Sequence, residues 1–172
     1  MFFFVIFRYP TKQKMSLIGF ISRFSFVSQR VLWNIYPPFL FMGAKIIYLS
    51  NNYRKISIKL PVRWYGKNMH GTLFGGFICA LSDPIAVLLC QKIFPDTQSW
   101  TRKNEVEFFR PVRSKLQLDF EITETQVKEI SRLLVEKGEC LYTFEYSYKD
   151  KRSHLVAHTK NTIYLRKKLS KT

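Results

Sequence analysis

The sequence predicts an α+β fold: a curved antiparallel sheet of about five to six strands wrapped around one long central helix, with short helices ahead of it. Three observations lead there. From Gly71 to Cys90 the chain is apolar with Asp83 as its one charged residue, the pattern of a helix buried on nearly all sides. One earlier and four later segments alternate apolar and polar residues, as half-buried strands do. No internal repeat or linker separates these elements, so helix and strands share one core. At 172 residues the chain can bury a sizeable core, and at 47% hydrophobic and 16% aromatic it is neither disordered nor low-complexity.

The elements follow in chain order. Residues 1–15 form an apolar extension too short to span a bilayer, without the basic start or small-residue cleavage site of a signal peptide; Met15 offers an alternative start. Residues 16–50 read as an N-terminal helical segment of the same domain. Ser16 to Trp33 is amphipathic, Tyr36-Pro-Pro38 breaks it, and Pro38 opens a second short helix. The apolar run Phe39–Ile47 packs on the domain or caps a tunnel, with a membrane surface as the weaker option. The domain proper spans 51–168, and 169–172 are a basic tail. Ile56, Ile58, Leu60 and Val62 set one face of a first strand within Tyr53–Val62. A loop, Trp64–Gly71, then feeds the central helix, expected from Leu73 to Ile93, where Pro84 removes the bond to residue 80 and a local kink is expected beside Asp83. Further strands follow at Gln98–Arg110, Lys115–Thr123, Cys140–Lys149 and His154–Lys167. Gln126–Lys137 is a helix with Val127, Ile130 and Leu134 inward and Gly138 as its C-cap.

Charge narrows the partners. The formal net charge is +16, and no Asp or Glu precedes Asp83 while eleven Lys and Arg do. Such a surface suits an anionic ligand. Its basic residues are dispersed, with no zinc-finger spacing, aromatic RNA-binding strand or helix-turn-helix, so no specific nucleic acid is expected. Three cysteines without a CxxC spacing point to buried thiols in a reducing, cytoplasmic compartment. His154 and His158 share a strand face without further ligands at metal spacing, so no metal is expected.

Asp83 is the residue that calls for chemistry. A carboxylate buried without a partner costs several kcal/mol, roughly, and is seldom kept for stability. The glycine-rich helix start upstream supplies free backbone N–H groups and a positive dipole end, which suit a developing oxyanion. Acid plus anion hole is the skeleton of a hydrolytic site. The alternative is a core Asp bonded to a nearby backbone group or hydroxyl.

The segment Asn68-Met-His-Gly-Thr-Leu-Phe-Gly-Gly-Phe-Ile-Cys-Ala-Leu-Ser-Asp83, with Tyr36-Pro-Pro-Phe-Leu40, Asp83-Pro84 and Phe109-Arg-Pro111, resembles the hotdog-fold acyl-CoA thioesterases, PaaI-like proteins among them, and within them the group called DUF4442. The likeness covers about residues 30 to 167. It implies thioester hydrolysis with Asp83 as base or nucleophile and the Gly75 backbone N–H polarising the thioester carbonyl. Asn68 and Thr101 would position water or substrate, and Thr72, Phe74, Gly76, Arg102 and Arg110 would line the substrate site. Coenzyme A would enter only as part of an acyl-CoA substrate, with acyl carrier protein as the other carrier; no further cofactor is implied. In such enzymes the acid faces the Asn and glycines of a second subunit, so a homodimer or dimer of dimers is implied. The chain departs from the pattern at Phe74, where the usual residue is His, although sequences of the DUF4442 group commonly carry this Phe. The alternative reading is a non-catalytic acyl-CoA or acyl-lipid binder. A fatty or aryl acyl group fits the aromatic-rich core better than a small polar one.

Overall fold

A computed structural model describes residues 28–168. Two short helices come first, α1 (Gln29–Asn34) and α2 (Pro37–Met42), followed by strands β1 (Lys45–Leu49) and β2 (Lys55–Leu60). A 3-10 turn at Trp64–Gly66 leads to the long helix α3 (Gly75–Ile93). Strands β3 (Thr97–Phe108) and β4 (Leu116–Glu121), helix α4 (Glu124–Lys137), and strands β5 (Glu139–Lys149) and β6 (Leu155–Lys167) complete it. The strands form one antiparallel sheet in the order β1-β2-β4-β5-β6-β3, which leaves β1 and β3 as its edges.

Local sequence accounts for these elements. Pro37 opens α2 at a position where its missing N–H is harmless, and Gly43 closes the helix at a φ of 69°. A capping box between Thr123 and Gln126 starts α4, and Gly138 ends it at a φ of 74°. Strand β2 turns Ile56, Ile58 and Leu60 inward, and β5 does the same with Phe144, Tyr146 and Tyr148. The core lies between these residues and the inner face of α3, where Ile78, Leu81, Ile85, Ala86, Leu89 and Cys90 are buried. Length and composition alone would let α3 cross a bilayer, but its inner face is this core.

Strand β3 needs a further device to follow the helix over twelve residues. A bulge between Thr101 and Lys103 shifts its register against β6. Before the bulge the odd positions Thr97, Ser99 and Thr101 face α3; after it the even positions Asn104, Val106 and Phe108 do. One strand thereby presents side chains to both the middle and the start of the helix.

The structure corrects three expectations. The helical segment does not extend to residue 50, because Lys45–Leu49 is strand β1 paired with β2, which makes six strands and starts the sheet before residue 51. The helix begins at Gly75 rather than Leu73, with Phe74 as N-cap. Most consequentially, α3 is not buried all round: Ala80, Asp83 and Gln91 are exposed and Val87 half-buried. They recur every three or four residues and form one outward stripe. The expected helix from Ser16 is described only in its last part, as α1; its earlier residues, the 1–15 extension and the 169–172 tail lie outside the described residues.

Candidate active site

Asp83 stands on the outward stripe of α3, its side chain without a hydrogen-bond or ion-pair partner among the described residues. The turn that carries it is held from the sheet. Pro84 has no N–H to donate to residue 80, which loosens the helix there, and three side chains donate to main-chain carbonyls of this turn. Asn104 Nδ2 reaches Cys79 O at 3.2 Å, Thr101 Oγ1 reaches Asp83 O at 2.9 Å, and the Tyr146 hydroxyl donates to Ser82 O. Beneath it Ser82 Oγ donates to Ile78 O at 2.7 Å and lies 2.9 Å from Tyr148 Oη and 3.0 Å from Thr159 Oγ1. Burial, then the neighbouring Tyr148 and Asp83, push the Tyr146 phenol far above its usual range, so it stays a donor.

Asp83 and Thr101 open on a pocket of about 710 Å³. Its walls are Leu32, Trp33 and Tyr36 from α1 and the turn after it, Pro84, Val87, Leu88 and Gln91 from α3, and Ser99 and Trp100 from β3. Ser99, Gln91 and Trp33 were missed by sequence reasoning; a polar residue at an inward position of a long strand was the signal available for Ser99.

The other expected residues gather at the start of α3. Asn68 Oδ1 accepts from the backbone N–H of His70 at 3.0 Å and of Thr72 at 3.1 Å, while its Nδ2 donates to Thr72 Oγ1 at 2.8 Å. Asn68 and Thr72 thus shape their own loop, which Gly71 turns at a φ of 70°. No side chain caps the helix, and a Phe at the N-cap cannot accept a bond, so the first N–H groups, at Gly75 and Gly76, lack a side-chain acceptor. Two aromatic side chains lie close over these glycines. A Cβ on Gly75 would stand 3.2 Å from Phe108 Cζ, and one on Gly76 only 2.3 Å from Phe74 Cε1. The Phe74 ring therefore folds back over Gly76.

The structure separates these two groups. Eight residues of helix place Gly75 about 12 Å from Asp83, too far for both to act on one carbonyl of one chain. Arg102 is exposed at the β3 bulge, next in sequence to the Thr101 that holds the Asp83 turn, and Arg110 is exposed just after β3. About 25 Å of strand divides these arginines, so they do not serve one phosphate group together within a chain. A second hydrogen-bonded row, Ser147–His158–Glu145, has both contacts at 3.0 Å. It sits on the opposite face of the sheet, because its neighbours Tyr146, Tyr148 and Thr159 are the ones that turn to α3. Cys90 and Cys140 are buried free thiols and Cys79 is half-buried; burial and then the neighbouring Cys140 push the Cys90 thiol up to about 12. Among the described residues no cluster of three or more His, Cys, Asp or Glu side chains could hold a metal ion.

A family model described as "Domain of unknown function (DUF4442)" matches residues 25–165. No curated protein matches the sequence. Solved structures do match. A Pseudomonas aeruginosa protein of unknown function, described as a probable thioesterase, superposes with a TM-score of 0.73 at 17% identity over 81% of this chain and 93% of its own. A Haemophilus influenzae thioesterase gives 0.60 at 16% identity over 78% and 86%. A variant of the phenylacetic acid degradation protein PaaI from Thermus thermophilus gives 0.55 at 19% identity over 74% and 97%. At such identities the likeness shows the fold alone, and that fold is the hotdog fold.

Proposed function

We propose that this chain, which belongs to the DUF4442 family, hydrolyses an acyl thioester, with acyl-CoA as the favoured carrier and acyl carrier protein as the other. The observation that carries this is an exposed carboxylate, without a side-chain partner among the described residues, on a helix turn anchored by three side-chain donors and facing a pocket of mixed polar and apolar walls. Asp83 takes a proton from water or attacks the carbonyl directly. The Gly75 N–H, aimed outward by the helix and reinforced by its dipole, meets the developing oxyanion. Asn68 acts by fixing the loop that delivers Gly75, and Thr101 by fixing the Asp83 turn. Arg102 and Arg110 are the contacts proposed for the phosphates of coenzyme A.

The separation of Asp83 from Gly75 supports a homodimer, in which the acid of one copy works with the helix start of the other. Strand β3, a long edge with unpaired backbone groups, is the natural place for a second copy to pair. Free thiols fit a reducing cytoplasm.

A second reading, a non-catalytic acyl-CoA or acyl-lipid binder, draws on Phe74. Its ring lies over the helix start and offers no donor or acceptor to a carbonyl. Thiol release from acyl-CoAs running from acetyl to stearoyl, with phenylacetyl- and benzoyl-CoA, decides between them. Turnover that disappears in Asp83→Asn supports the hydrolase; tight binding without turnover on any substrate leaves the binder.

A further inference from the structure

The two ends of the sheet carry different surfaces. At one end lie the starts of β1, β4 and β6 and the ends of β2, β3 and β5. Three connections project there: residues 61–74, residues 109–115 and the hairpin turn 150–154. They are tied together by the Leu73 N–H donating to Val112 O and the Phe109 N–H donating to Val156 O, both at 2.8 Å. The end of α2 abuts them, since a Cβ on Gly43 would stand 2.5 Å from Arg63 Nε.

Large apolar side chains stand out from this end rather than into the core. Met69 is 95% exposed, Trp64 84% and Phe41 78%, and Leu40, Tyr65 and Phe109 are exposed as well. Phe74 and Phe108 turn to the helix start instead. Cations surround the protruding groups. Arg63, Lys67, Arg113 and Lys115 are exposed on the loops, and Lys149, Lys151 and Arg152 on the hairpin. Residues 37–45, 61–74 and 108–115 contain no Asp or Glu. Asp150, the acid of the hairpin, accepts the backbone N–H groups of Arg152 and His154 at 2.8 and 3.0 Å and so serves its own turn. Among the described residues none of these cations has an ion-pair partner. At the other end of the sheet acids and bases mix, and Arg54 pairs with Glu124 and Lys55 with Glu121.

We propose that the basic end docks on an anionic lipid surface, with Trp64, Met69 and Phe41 entering the interface and the surrounding cations meeting the lipid phosphates. Trp and Tyr side chains favour the headgroup layer of a bilayer. Lys and Arg lay their stems along apolar surface while their charges reach the phosphates. The apolar groups protrude on separate loops, a shape suited to entering a soft surface rather than to gripping a protein segment in a groove. This surface is separate from the pocket beside Asp83, whose walls include none of these residues, so the inference stands apart from the hydrolase reading.

Because the whole chain is cationic, the test must separate position from net charge. Co-sedimentation compares vesicles of phosphatidylcholine alone with vesicles that also contain phosphatidylglycerol, at low and high salt. The wild-type protein should favour the anionic vesicles by at least on the order of tenfold, less so at high salt. Arg113→Glu with Lys151→Glu should remove most of that preference. Lys128→Glu with Lys137→Glu, the same charge change on α4, should leave most of it. Trp64→Ser with Met69→Ser should weaken binding by on the order of tenfold with the melting temperature unchanged, both side chains being exposed. Tryptophan emission should shift to the blue on binding, and Trp64→Phe should abolish the shift. Equal losses from the two charge pairs, or full binding by the Trp64 and Met69 variant, would overturn the inference. So would dissociation of a dimer by that variant in native mass, which makes the face a subunit contact, or binding of acyl carrier protein with no binding to vesicles.

Discussion

The inner and outward faces of α3 hold their polar groups in opposite ways. On the inner face Ser82 is fully buried, and its hydroxyl has three partners while its carbonyl takes a fourth bond from Tyr146. One residue later Asp83 faces outward with no side-chain partner among the described residues. Satisfied polar groups lock the helix onto the sheet. The Asp83 carboxylate stands where a ligand could complete it. The contrast assigns stability to one face and chemistry to the other, and substitutions on each face can break it.

The largest effect is expected at Asp83→Asn. Hydrolysis should fall by about two to four orders of magnitude, the range for losing a positioned acid or base. Stability should stay within about 0.5 kcal/mol, as for an exposed site, measured by urea unfolding. A large loss of stability would place Asp83 with the structural face after all. Ser82→Ala is the mirror case. It strands the Tyr148 and Thr159 hydroxyls in the core and should lower unfolding free energy by about 1–3 kcal/mol, with kcat changed far less than by Asp83→Asn. Thr101→Val lies between the faces. Losing its bond to the Asp83 carbonyl should cost about 1 kcal/mol in stability, and kcat should drop by roughly tenfold as the carboxylate loses its fixed turn.

The smallest effect shows only in alkali. The unfolded chain releases the Cys90 proton near its ordinary 9.0, whereas burial, then Cys140, holds it in the folded chain to about 12. Between those values the unfolded state binds fewer protons, so stability falls as pH rises. The buried Tyr146 and Tyr148, both pushed up chiefly by burial, add to the fall above their ordinary value of 10.0. Cys90→Ala should therefore make the fall between pH 9 and 10 shallower, leaving the part due to Cys140, whose thiol burial also pushes up from 9.0, as followed by urea midpoints across the pH range.

Period and punctuation made most of the fold legible. Alternation located five strands, Gly138 located the end of α4, and the apolar run located α3. Strand β1 was hidden because a bulge between Ile46 and Tyr48 interrupts its alternation inside a continuous apolar run. The outward stripe of α3 was hidden for a related reason. Ala80 and Val87 are as apolar as residues of the core, so composition cannot tell a face awaiting a ligand or second copy from one already buried. Asp83 could be singled out by its charge, but its exposure depends on where the sheet stops. Asn68 was legible as important, yet only the loop geometry shows that its amide shapes Gly71 and Thr72.

The central claim is that Asp83 of one copy works with the helix start of another, and subunit mixing tests it most directly. Asp83→Asn removes the acid. Gly75→Pro removes the N–H at the first helical position, where proline is tolerated and where the extended Phe74, at φ −64° and ψ 122°, suits a following proline. Each variant alone should be nearly inactive. Refolded together in equal amounts, half of randomly formed dimers would be mixed, each with one intact composite site, so the account predicts about a quarter of wild-type thiol release. No recovery on mixing, with dimers verified by native mass, would contradict it.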